Sequence, residues 1–71
     1  MTLAQVLNAE REKQSRSILE VARVAGVPVS RAHGVFTGET PDPRFSTLSK
    51  LVAALGKSLA WLERELNKPA A

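Results

Sequence analysis

The sequence predicts an all-α fold of five short helices, and three observations carry that expectation. Apolar residues recur at spacings of three and four, the helical period, and no stretch alternates as a strand would. Glycines at 26, 38 and 56 each follow such a stretch, where helices commonly end. Hydroxyl side chains stand where several of the stretches begin.

The elements follow in order. Thr2 is a plausible N-cap for a first helix with Leu3, Val6 and Leu7 on one face. The charged run Glu10-Arg11-Glu12-Lys13 continues it as a solvated face that fades near Gln14 or Ser15. Ser17-Ile18-Leu19-Glu20 fits a capping box, in which Ser17 covers the Glu20 amide and Glu20 reaches back. Leu19, Ala22 and Val21 or Ala25 then supply the buried side of the second helix, which Gly26 closes.

Pro28 suits the first turn of a third helix, over residues 28–37, because its missing N–H would have no partner there. Pro41 and Pro43 stiffen the loop that follows. Ser46 or Thr47 can cap a fourth helix carrying Leu48, Leu51, Val52 and Leu55 on one face. Ser58 can cap a fifth carrying Leu59, Trp61, Leu62 and Leu66. Residues 1–67 read as one domain and residues 68–71 as a frayed tail.

Composition narrows the function. Lys plus Arg number 10 against 7 Asp plus Glu, a net charge of +3 that is compatible with a polyanionic partner. Cysteine is absent and His33 is the single histidine, which removes disulfides, thiolate metal sites and multi-histidine zinc sites. No cofactor is expected. There is no paired-carboxylate, nucleophile-base or glycine-rich phosphate constellation, so an enzyme is not expected. No apolar run approaches the ~20 residues of a membrane span, and a cytoplasmic location is expected.

Residues 18–37 place a helix, a very short turn and a second helix in succession. Gly26 tolerates the positive φ the turn needs. Ala22, four residues earlier, is small enough for the helices to cross closely. Val27, Ala32 and Val35 are apolar where the second helix must pack. This is the helix-turn-helix pattern.

The chain resembles the Cro/C1 repressor family of phage and bacterial regulators. The residues that carry the resemblance are Val21-Ala22-Arg23-Val24-Ala25-Gly26-Val27, Gly38, Pro43-Arg44-Phe45, and the stretch from Leu51-Val52-Ala53-Ala54-Leu55-Gly56 through Lys57-Ser58-Leu59-Ala60-Trp61-Leu62. It extends over residues 3–66. It implies a lambda-repressor-like five-helix domain that binds double-stranded DNA and acts as a repressor or Cro-like regulator on a palindromic operator.

Geometry then indicates the face turned to DNA. At ~100° per residue, Pro28, Ala32, Val35 and Phe36 cluster on one side of the third helix. Ser30, His33, Gly34 and Thr37 form the opposite stripe, small enough to press into a major groove. Ser30 and His33 are expected to reach base edges, Val29 a thymine methyl, and Gly34 to let the backbone lie close. Ser17, Arg16, Arg31, Thr37 and Thr40 are expected phosphate contacts. Arg44 matches a position from which some members of the family send an arginine toward the minor groove, and a phosphate or minor-groove contact is expected of it.

Four positions depart from the family pattern. Ile18 stands where many relatives clamp a phosphate with glutamine. Phe36 replaces a glutamate that often pairs with the arginine equivalent to Arg11. Arg16 occupies a commonly apolar position, and Gly34 replaces a larger polar side chain.

One such domain reads too few base pairs to find a genomic site, and the family's usual answer is a twofold dimer. In the last helix Leu59, Leu62 and Leu66 form one stripe while Trp61 projects elsewhere, so one side can face the core and another a partner. Phe45, Trp61, Leu62 and Glu65 are the expected interface; the alternative packs Trp61 into the domain's own core. Two other functions stay open: the DNA-binding antitoxin of a toxin-antitoxin pair, and a protein-interaction module on the same fold.

Overall fold

The computed structural model describes residues 2–68 and shows five α-helices, with no strand among them. Of the expected tail, residues 69–71 lie outside the described residues. The first helix, α1 (Leu3–Lys13), opens on a capping box in which Thr2 Oγ1 accepts from the Gln5 amide and Gln5 Oε1 from the Thr2 amide. It ends at Gln14, and Ser15 takes a positive φ of 55° to turn the chain.

Helix α2 (Ile18–Ala25) begins at the Ser17/Glu20 capping box and stops at Gly26, whose φ of 71° makes the left-handed turn. Helix α3 (Val29–Thr37) ends at Gly38, α4 (Phe45–Ala54) runs up to Leu55, and α5 (Leu59–Leu66) starts where Ser58 Oγ accepts from the Trp61 amide. Helix α2 lies against both α3 and α4, α1 against α3 and α5, and α4 against α5. The centre of the core is Leu7, Val21, Val35, Leu51 and Val52, one or more side chains from each of α1 to α4, and Leu62 adds α5.

Three details differ from the sequence expectation. Leu19 is 42% exposed, and Ile18 takes its place against the core. Pro28 precedes α3 at the cap position, since its φ of −54° with ψ of 137° is extended, not helical, and it is exposed. Helix α4 starts two to three residues earlier than a Ser46 or Thr47 cap would allow. Its N-cap is Arg44, and Thr47 is buried on the inner face.

Polar side chains of α1 and the linker after it hold α3 and α4 by their C-terminal ends. Asn8 Nδ2 donates to the Phe36 carbonyl at the end of α3 and to the Ala4 carbonyl one turn back. Gln14 Nε2 donates to the Leu55 carbonyl at 2.8 Å, and Arg16 Nη1 to the Ala54 carbonyl at 2.6 Å. These are carbonyls that a helix end leaves without an internal partner.

Candidate nucleic-acid interface

The turn between α2 and α3 is built as its residues dictate. Ala22 is fully buried at the helix crossing, and its carbonyl accepts from the Val27 amide at 3.0 Å. Val27 closes the crossing at 8% exposure. Ala32, Val35 and Phe36 turn inward from α3, while Val29, Ser30, Arg31, His33 and Thr37 stand exposed. Ser30 and His33 lie three residues apart and so share one open stripe.

Gly34 shares the helical period of that stripe but is not open. It is buried, because the loop after α3 folds back across it. The Thr40 amide donates to the Gly34 carbonyl at 3.0 Å and Thr37 Oγ1 to the same oxygen at 3.3 Å. A Cβ at position 34 would stand 2.8 Å from Thr40 Oγ1. Glycine thus lets the Thr40 hydroxyl lie close against the helix, so the loop stands between the Gly34 backbone and the open face of α3.

Arg31 and Arg44 border one cleft between α3 and the loop, together with Thr40, Asp42, Pro43 and the inner Thr47. Two arginines against one carboxylate give it a positive balance. Of the five helices, α1, α2 and α5 have a side-chain N-cap, whereas α3 and α4 have none. Among the described residues, their first-turn amides keep the positive end of the helix dipole without a side-chain acceptor.

At α2 the opposite holds. Ser17 Oγ accepts from the Glu20 amide at 3.1 Å, and Glu20 Oε1 from the Ser17 amide at 3.0 Å. The Ser17 backbone hydrogen bond, helped by the Ser17 hydroxyl and by the Arg16 charge, lowers the pKa of Glu20 below its ordinary value. This helix start already carries an anion of its own, so Ser17 serves first as a cap.

Arg16 and Arg11 are also engaged internally. Arg16 is half-buried and caps the end of α4, so the expected phosphate role does not fit its placement. Arg11 donates through Nη1 to the Arg16 carbonyl at 2.8 Å and through Nη2 to Asn8 Oδ1 at 3.0 Å. Its guanidinium carbon lies 5.6 Å from the centre of the Phe36 ring. The aromatic face thus takes the position that the expected glutamate would hold.

The four expected interface residues do not form one surface. Leu62 is 4% exposed and belongs to the chain's own core. Trp61 is half-buried against that core; it borders a groove to α1 with Val6 and Lys13, and Lys57 Nζ lies 5.7 Å from its ring centre. Glu65 lines the same groove and pairs with Lys68. Phe45 alone is widely open, at 71% exposure. Asn8 and Gln14, which do much of the positioning, carry no distinguishing local pattern in the sequence.

Comparison with known families matches the Helix-turn-helix model to residues 7–62, from the middle of α1 to the middle of α5. The chain belongs to the Cro/C1-type helix-turn-helix family. Its five helices, with α2 and α3 as the helix-turn-helix, are those of a lambda-repressor-like domain. A Cro/C1-type domain of this kind is a DNA-binding regulatory unit and not typically an enzyme. No curated protein and no solved structure gives a significant match to the chain. Among the described residues, no helix is long and apolar enough to cross a membrane.

Proposed function

We propose that this chain is a sequence-specific transcriptional regulator that binds a palindromic double-stranded operator as a homodimer, in the manner of a repressor. The observation that carries the reading is the pairing of an open, small polar α3 face with uncapped α3 and α4 N-termini beside Arg31 and Arg44. Val29, Ser30 and His33 are the base-reading set, sized for a major groove. Free helix amides and the two arginines suit phosphate oxygens, which fix register without reading sequence. Thr37 and Thr40 extend the same surface.

Two copies are needed because one α3 reads too little sequence. Phe45, at the start of α4 next to Arg44, is the most exposed of the large apolar side chains and the best-placed anchor for a second copy.

Selection from random duplexes at several salt concentrations tests the reading. The expected result is a palindromic consensus with half-sites about 10 base pairs apart, bound with an affinity that falls steeply with salt. Sedimentation of the complex should give two chains per site. Absent or salt-insensitive duplex binding would instead support a protein-interaction module.

A further inference from the structure

We infer that Thr40, reaching across Gly34 from the loop after α3, supplies the groove-facing polar group that the recognition helix lacks at position 34. The inference rests on the DNA-binding reading and names a base-edge contact within it. Residue 34 follows Ser30 by one turn and precedes Thr37 by another, so a longer polar side chain there would continue the Ser30 stripe. In this chain a Cβ at that point would meet Thr40 Oγ1 at 2.8 Å, which means the Thr40 hydroxyl fills the space a side chain of residue 34 would enter.

The loop is held in that position by main-chain geometry. The Thr40 amide donates to the Gly34 carbonyl at 3.0 Å, fixing the backbone on which the hydroxyl is carried. Thr37 spends its own hydroxyl proton on the same carbonyl, so it is a poor donor to a base. Thr40 remains exposed, and its hydroxyl can donate and accept. A group on the loop, 3.0 Å by hydrogen bond from the helix backbone, thereby becomes part of the helix's outer surface.

Gly34 and Thr40 therefore act as one unit, and each can be altered without the other. Thr40→Val keeps the shape and removes the hydroxyl. Gly34→Ala adds a methyl that meets only Oγ1 at short range, the Thr40 Cβ being 3.7 Å away, so rotation of the Thr40 side chain relieves the clash and swings the hydroxyl off its place. Alanine is also the better helix former.

The test is random-duplex selection with the unaltered chain, Thr40→Val, Thr40→Ser and Gly34→Ala, alongside their unfolding temperatures. Thr40→Val and Gly34→Ala should lose preference at the same base pair by about three- to tenfold, the worth of one hydrogen bond. Other positions of the consensus should stay as they were. Thr40→Ser should keep the preference, and Gly34→Ala should unfold at no lower temperature than the unaltered chain. An unchanged consensus for Thr40→Val overturns the inference. So does a loss that is uniform over all sequences, which would mark a phosphate contact. If the unaltered chain itself enriches no duplex, the DNA-binding reading falls and takes this inference with it.

Discussion

Replacing Arg11 by methionine keeps most of the apolar stem and removes the guanidinium. The side chain is 17% exposed, so its hydrogen bonds to the Arg16 carbonyl and Asn8 Oδ1 are largely shielded from water. Hydrogen bonds to a charged group contribute about 1.5–3 kcal/mol, and the stacking on Phe36 adds about 0.5–1 kcal/mol. Water can reach part of the vacated carbonyl, which reduces the sum, and a loss of about 2–3 kcal/mol is expected. At ~0.05–0.15 kcal/mol per residue, a chain of 71 residues holds only about 4–11 kcal/mol in all. The variant should therefore unfold roughly 8–24 °C lower, as followed by circular dichroism, with an unchanged denaturant slope. Because Arg11 is engaged inside the domain, the salt dependence of duplex binding should keep its slope. A stability loss below about 0.5 kcal/mol, or a salt slope lower by ~0.9 as for one lost phosphate contact, would refute this account of Arg11.

Arg31→Ala and Arg44→Ala should each lower the salt slope of duplex binding by ~0.9 if both reach phosphates; an unchanged slope returns the residue to the solvated surface. Gly26→Ala places a side chain at φ 71° where no atom lies within 4 Å, so its cost is backbone strain alone. That cost is about 1–2 kcal/mol, read as a lower urea midpoint, and no shift in the midpoint would count against it. The capping box makes stability depend on acid. With the folded pKa of Glu20 below its ordinary value of 4.5, its contribution is present above pH 4.5 and is lost as pH falls through the folded value. Glu20→Gln should flatten that part of the stability profile, and an identical acid limb in both proteins would show that Glu20 plays no part in it.

What the sequence made legible was local. The Ser17/Glu20 box, the Gly26 and Gly38 stops and the inward stripe of α4 all follow from residues within a turn of one another. The contacts that set the helices against each other are not of that kind. Asn8 meets Phe36 across 28 residues, Arg16 meets Ala54 across 38, and Gln14 meets Leu55 across 41. In each case the partner is a main-chain carbonyl, which every residue offers, so no pairing of side-chain types betrays it. The site was legible to the same extent. Ser30 and His33 follow from helix periodicity alone, whereas Gly34 shares their period and is covered by a loop whose path periodicity does not describe. Leu62 likewise reads as partner-facing only while the packing of α5 on the core is unknown.

The departures from the family pattern fit together once the helix ends are considered. Asn8 satisfies the last turn of α3, and Arg16 and Gln14 the last turn of α4, so the negative ends of both dipoles are met by side chains of the same domain. Arg16 at a commonly apolar position is thus a helix cap, and Phe36 in place of glutamate leaves the Arg11 charge free to bind the Arg16 carbonyl beside it. The N-terminal ends of α3 and α4 receive nothing equivalent from the protein. A small domain that supplies donors for two C-termini and no side-chain cap for the matching N-termini retains its unmatched polarity as positive potential around Arg31 and Arg44. That asymmetry stabilises little in the free domain, since an N-cap side chain contributes about 1 kcal/mol. It becomes favourable when an external anion completes both helices, which is the condition a DNA backbone meets.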